Sequence, residues 1–231
     1  LSQNTALTHL YCEDNQLTSL DLSNNTALTY LFCVDNQLVN LDISNNTALE
    51  TLYCDGNSLT NLDLSQNTAL TYLFCSGNQL TSLDLSQNTA LEQLSLKETA
   101  IDSLVLIDLP NLFFVEVSNN TNMKYLELTN IGMDNLVLID NGDTNVYYVI
   151  KNCSYGYGGG NGFELHMRSI TSNASVSLDI DSSGLLAIWS EAILSNLELN
   201  QVPYLFELRL AVSNIGVSDL SRLDLRNIGP D

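Results

Sequence analysis

Leu7-Thr8-His9-Leu10-Tyr11-Cys12-Glu13-Asp14-Asn15-Gln16-Leu17-Thr18-Ser19-Leu20-Asp21-Leu22 decides the fold, because the chain repeats this phrase at 21-residue steps. The frame Leu-x-x-Leu-x-Cys-x-x-Asn-x-Leu-x-x-Leu-Asp-Leu returns around Cys33, Cys54 and Cys75, with Ile43 replacing the last leucine once. A unit this short cannot bury its own apolar side chains, so its copies must stack into a solenoid with one continuous core. Along a strand the side chains alternate between inside and outside. Equivalent residues of successive coils then fall in register, about 4.8 Å apart.

The frame is nested. Leu7-x-x-Leu10-x-Cys12-x-x-Asn15 is echoed ten residues later by Leu17-x-x-Leu20-x-Leu22-x-x-Asn25, and the next unit opens eleven residues on, at Leu28. Each coil therefore holds two half-coils with a period-two segment apiece. The expectation is an all-β-leaning solenoid of short parallel strands in one or two parallel sheets. One ladder would come from the Leu-x-Cys segments and a second from the Leu-Asp-Leu segments. A coil this short leaves little room for helix.

In this nested unit the chain resembles the leucine-rich repeat family, in its bacterial Cys-variant subclass with alternating 10- and 11-residue units (IRREKO). The resemblance is strong over 1–111, moderate over 112–140 and 194–228, and poor over 141–193. Residues 1–111 are read as regular repeats and 112–231 as divergent repeats of the same continuous solenoid. An irregular Gly-containing insertion is expected at about 141–193, where Ser154–Gly162 reads as a loop. Divergence starts in the fifth copy, where Thr99 replaces the Asn and Leu104-Val105-Leu106 replaces Leu-Asp-Leu. Because Ser2-Gln3-Asn4-Thr5-Ala6 repeats as Ser65-Gln66-Asn67-Thr68-Ala69, residue 1 falls inside a repeat. The sequence is expected to be a piece of a longer chain whose leader has been removed.

Charge narrows the partners. With 27 acidic against 7 basic residues the net charge is −20. Nucleic acid is excluded, since phosphate binding needs clustered Lys and Arg. Anionic membrane surfaces are disfavoured for the same reason. No apolar run approaches the roughly 20 residues that a membrane span requires.

The inward columns read as structural. Cys12, Cys33, Cys54 and Cys75 should line up as free thiols that behave as small hydrophobes. Parallel side chains at strand spacing do not meet disulfide geometry, and a line of thiols does not make a tetrahedral metal site. Leu96 and Leu128 are expected in the same slot. Asn15, Asn36, Asn57 and Asn78 form one inward Asn ladder, and Asn25, Asn46, Asn67 and Asn88 another. Their amides should satisfy backbone groups stranded where the coil turns, and one another. Replacing Asn57 with Leu should cost about 1–3 kcal/mol.

The outward columns carry the functional reading. Tyr11, Phe32, Tyr53 and Phe74 should form a stripe about 15 Å long from strand spacing, widened by Tyr30 and Tyr72. Such a stripe either stabilises the parallel ladder through ring contacts or marks a binding strip. Across the coil, Asp21, Asp42, Asp63 and Asp84 form an acidic column flanked by serines. It reads as a solvated face, with weak cation binding as the alternative. No metal site and no cofactor are assigned.

No catalytic constellation emerges. Gly156–Gly162 lacks a phosphate-cradle ending, His9 and His166 fall in opposite halves, and the regular carboxylates follow the repeat. Cys153 and Trp189 read as incidental and as packing residues. What the resemblance implies is a non-catalytic binding or adhesion module of a secreted or cell-surface bacterial protein. Its partner would be a protein, or a glycan, met on the Tyr11, Phe32, Tyr53, Phe74 stripe with Tyr30 and Tyr72. The alternatives are an architectural spacer without a ligand and the targeting region of a larger effector.

Overall fold

A computed structural model describes residues 1–132 and, from 133 on, only the backbones of the strands. Five three-residue strands open the chain at 21-residue steps: β1 (His9–Tyr11), β2 (Tyr30–Phe32), β3 (Thr51–Tyr53), β4 (Tyr72–Phe74) and β5 (Gln93–Ser95). They pair in parallel without a slip, Leu10 on Leu31, Leu31 on Leu52, Leu52 on Leu73 and Leu73 on Leu94. The ladder continues one residue past each strand, where Cys12 N–H donates to Phe32 O and Cys33 N–H to Tyr53 O, both at 2.8 Å. Every frame leucine from coil two to coil four is buried. No helix occurs among the described residues.

The turn after each strand needs a left-handed residue two places beyond the cysteine. Asp14 and Asp35 fill it at φ 55° and 50°, and Gly56 and Gly77 at 62°. Asp tolerates this region and Gly enters it without steric cost. At Gly56 a Cβ would meet the tip of the Asp35 side chain, which would have to turn aside.

The expected second ladder does not form from the Leu-Asp-Leu segments. Residues 20–22, 41–43, 62–64 and 83–85 are not strands. The reason is local. The Asp21 carboxylate accepts hydrogen bonds from Ser23 N–H (3.0 Å) and Ser23 Oγ (2.7 Å), and Asp42, Asp63 and Asp84 likewise capture the amide of the serine two places on. Asn25 N–H then closes a turn on Leu22 O. Such an Asx turn bends the backbone out of strand. In coil five Val105 and Ile107 stand where coil four has Asp84 and Ser86. With no carboxylate to capture the amide and two β-branched residues favouring extension, β6 (Ser103–Ile107) forms there and the turn moves to Asp108, at φ 57°.

From that point the chain alternates between two sheets. β7 (Phe114–Ser118) extends the first sheet and β8 (Tyr125–Thr129) pairs with β6. Beyond them stand β9 (Val137–Asp140), β10 (Tyr147–Lys151), β11 (Phe163–Arg168), β12 (Ala174–Asp179), β13 (Gly184–Ser190), β14 (Leu194–Asn200), β15 (Leu205–Val212) and β16 (Arg222–Arg226). The ten-stranded sheet has the order β1-β2-β3-β4-β5-β7-β9-β11-β13-β15, and the six-stranded one β6-β8-β10-β12-β14-β16, all parallel. The Gly-rich stretch 156–162 and Cys153 lie outside the described residues, as do the side chains of His166 and Trp189.

The register also corrects one slot. Leu96 does occupy the cysteine position, donating its amide to Glu116 O as Cys75 does to Ser95 O. In coil six, however, that position is Val117, two residues past Val115, which pairs with Leu94. Leu128 pairs with Leu106 in the second sheet. The two half-coils share one pattern, so the residue between them can be assigned to either.

Candidate binding face

Alternation along β1 to β4 turns Tyr11, Phe32, Tyr53 and Phe74 outward, and the unbroken register stacks them. Successive ring centroids lie 4.8, 4.6 and 4.4 Å apart, with interplanar angles of 23°, 9° and 4°. Tyr11 is 59% exposed while the other three are half-buried, since neighbouring rings cover their faces. What the ridge shows to solvent is therefore ring edges. A ring edge carries the positive part of the quadrupole and the face the negative part.

The adjoining column is interrupted. His9 stacks on Tyr30 at 4.4 Å and 15°. Thr51 follows, buried at 5% exposure, and then Tyr72, whose hydroxyl donates to Glu92 Oε2 at 2.9 Å. That bond raises the Tyr72 phenol above its usual value, and burial, helped by the Asp55 charge, does the same for Tyr53. Tyr30 and Tyr72 thus flank the ridge without continuing it.

A polar cluster terminates the ridge, and the sequence reading missed it. Ser95 follows Phe74 in the ring column and is buried, with its hydroxyl 3.0 Å from Ser76 Oγ and donating to Glu116 Oε2 at 3.2 Å. Lys97 Nζ lies 3.4 Å from Glu116 Oε1. Beside Tyr53, the half-buried Asp55 accepts a hydrogen bond from Ser76 N–H at 2.8 Å. Desolvation nevertheless outweighs that bond and lifts the Asp55 carboxyl above the usual range. Reading residues 13, 34, 55, 76 and 97 as a column would have found both Asp55 and Lys97.

Behind the ridge the thiols point inward. Cys33, Cys54 and Cys75 are buried and Cys12 is partly so, and all four are free. Burial pushes the Cys33 thiol up to about 12. Cys54 is raised through its hydrogen bond to Cys75 together with burial. Protonated thiols are poor nucleophiles, so the row packs as apolar groups.

The Asn ladders work through backbone. Asn36 Nδ2 donates to Cys12 O at 2.9 Å and to Cys33 O at 3.2 Å, while its Oδ1 accepts from Leu17 N–H at 3.0 Å. Asn57 and Asn78 repeat the pattern one and two coils on. Asn46 Nδ2 donates to Asn25 O at 2.8 Å, and Asn67 and Asn88 follow suit. Each of these amides ties its coil to the one before, and none of the bonds joins two Asn side chains; Asn15, expected in the inward ladder, is instead exposed and bonds only to Cys12 O and Glu13 O of its own coil. In coil five Thr99 cannot bridge, so its amide and hydroxyl both reach Asn120 Oδ1 at 2.7 Å.

The Asp column is held by its serines. Hydrogen bonds from Ser23 and Ser44 keep Asp21 and Asp42 below the usual carboxylate range, and Ser65 and Ser86 do the same for Asp63 and Asp84. Among the described residues no group of three or more His, Cys, Asp or Glu side chains is placed to hold a metal. A groove of about 330 Å³ opens where the second sheet begins, between Leu83–Ser86 and the exposed Val105 and Ile107. No helix among the described residues is long and apolar enough to cross a membrane.

A 21-residue coil, leucines in register and a parallel sheet on the coil's face define the leucine-rich repeat fold. Within that class the coils here are of the nested kind with an inward cysteine row. No protein-family model matches the chain, and no curated protein does. Among solved structures it is similar to the functional domain of InlJ from Listeria monocytogenes, which includes a cysteine ladder. The identity there is 25% and the TM-score 0.44, covering 95% of this chain and 57% of that one. It is also similar to a leucine-rich repeat protein of Leptospira interrogans (16%, TM-score 0.49, 99% and 69% covered). An internalin, inlF, from Listeria monocytogenes gives 17% and a TM-score of 0.45, with 99% and 88% covered. The chain thus spans little more than half the length of the InlJ domain.

Proposed function

We propose that this protein is a non-catalytic recognition module that binds a protein partner on the ridge of Tyr11, Phe32, Tyr53 and Phe74, flanked by Tyr30 and Tyr72. The ridge itself is the observation that carries this reading: four rings in register on the outer face of a rigid sheet, with their edges turned to solvent. Rigid aromatic surface binds at low entropic cost and is enriched in the centres of interfaces. Residues 1–111 and 112–231 belong in this reading to one solenoid, and the sheet order across β5, β7 and β9 supports it. A bacterial surface or secreted setting fits the acidic, lysine-poor composition.

Ring orientation favours protein over glycan. Sugars stack on ring faces, and here neighbouring rings cover the faces between Tyr11 and Phe74, so a sugar could stack only at the ends of the ridge. Edges instead suit the aliphatic, carbonyl and aromatic-face groups of a polypeptide.

Binding measured across an array of surface-protein ectodomains and glycans tests the proposal. A protein ligand should be found and should be lost with Phe32→Ala plus Tyr53→Ala. That pair also breaks three stacked contacts, worth about 0.5–1.5 kcal/mol each, so some loss of melting temperature accompanies it. Binding is therefore read well below the unfolding transition, with circular dichroism confirming the fold. A ligand that survives the double variant refutes the ridge. Absence of any ligand favours the architectural spacer.

A further inference from the structure

We infer that the partner presents a basic polypeptide segment, with an aliphatic or aromatic side chain set on the ridge and Lys or Arg residues on either side of it. This rests on the ridge being the binding face. The ridge is rimmed by carboxylates on both flanks of its strands. Glu50 and Glu92 stand before β3 and β5, and Glu13 and Asp55 follow β1 and β3. Glu92 is held against the aromatic surface by the Tyr72 hydroxyl, and Asp55 by Ser76 N–H. Lys97, the cation at this end of the face, is paired with Glu116. Residues 1–132 contain two lysines and no arginine.

The chemistry divides between centre and rim. The ring faces that attract a cation are stacked against one another and the phenylalanine edges offer it nothing, so the ridge is a poorer seat for a cation than the rim. The same edges accept an aliphatic group or the face of another ring. The carboxylates before and after the strands then attract ammonium or guanidinium groups, and an opposed acidic segment is rejected by like charge. An apolar centre with a charged rim is also the usual anatomy of a specific interface. A neutral segment would leave the rim carboxylates partly desolvated without partners, which disfavours it.

The test is selection of random twelve-residue peptides displayed on phage against the immobilised full chain, followed by affinity measurement with the synthesised peptides. Selected peptides should combine an aromatic or aliphatic residue with flanking Lys or Arg. Their binding should weaken several-fold between 50 and 500 mM NaCl as the rim is screened. Glu50→Gln plus Glu92→Gln should weaken it roughly threefold to tenfold, with the fold intact by circular dichroism, and Phe32→Ala plus Tyr53→Ala should abolish it. Asp42→Asn plus Asp63→Asn, on the other side of the coil, should leave it unchanged. Neutral or acidic peptides that still depend on Phe32 and Tyr53 would overturn the inference while leaving the ridge as the binding face. Basic peptides that depend on Asp42 and Asp63, and not on the rings, would overturn both. Enrichment of no sequence would overturn the inference as well.

Discussion

Replacing Asn57 with leucine removes the hydrogen-bond acceptor of one buried backbone amide. Asn57 makes four bonds: its Oδ1 accepts from Leu38 N–H at 3.0 Å, and its Nδ2 donates to the carbonyls of Cys33, Cys54 and Asp55. The three carbonyls each keep another donor, namely Asn36 Nδ2, Asn78 Nδ2 and Asp35 N–H. Leu38 N–H is left without one. The cost is thus that of a single orphaned buried donor, about 1–3 kcal/mol. At the first coil, the amide of Asn15 donates only to Cys12 O and Glu13 O from an exposed position. Asn15→Leu should therefore cost no more than about 0.5 kcal/mol. Urea unfolding of the two variants beside the parent gives the comparison. Equal losses would show that the ladder does not act by bridging each coil to the one before it.

Three further outcomes follow from the same geometry. Alkylation of the native chain at pH 8, mapped by mass spectrometry, should mark Cys12 well before Cys33, Cys54 or Cys75, which are buried; simultaneous labelling would contradict the packing. Asp55 holds its proton more tightly folded than unfolded, so folding stability falls as pH rises from the ordinary carboxylate value through the raised one. Asp55→Asn should accordingly melt higher than the parent at pH 7, and the difference should vanish below about pH 4. The Asp column has the opposite sign: its contribution is present above the ordinary carboxylate value and fades as pH falls through the depressed one. Finally, Asp84→Val with Ser86→Ile should extend the second sheet by one strand. Hydrogen exchange over residues 83–87 should slow, and unchanged exchange would refute the Asx-turn account of where that sheet begins.

What was legible in the sequence follows from the integer period. A 21-residue step forces Cys12 under Cys33 and Tyr11 beside Phe32, and strand alternation decides which of each pair faces inward. Two features escaped for physical reasons. The apolar alternation of the Leu-Asp-Leu segments matches a strand and so predicts a second ladder there. Yet the Asp21–Ser23 pair, readable in principle as an Asx turn, outcompetes the ladder for the backbone. Leu128 fits the cysteine slot by sequence because both half-coils share one pattern, and only the pairing of Val115 with Leu94 fixes the phase. The face of the ridge could be read, but its chemistry could not. Stacking angles turned a stripe of rings into a row of edges, and the cluster of Ser76, Ser95, Lys97 and Glu116 depends on side chains meeting across three coils.

A crystal structure of the full chain tests the central claim directly, since everything rests on like residues of neighbouring coils lying side by side. It should place the sulfurs of Cys12, Cys33, Cys54 and Cys75 unbonded in the core and the rings of Tyr11, Phe32, Tyr53 and Phe74 stacked outside at 4.4–4.8 Å. Sulfurs joined in pairs, or rings turned into the interior, would contradict it.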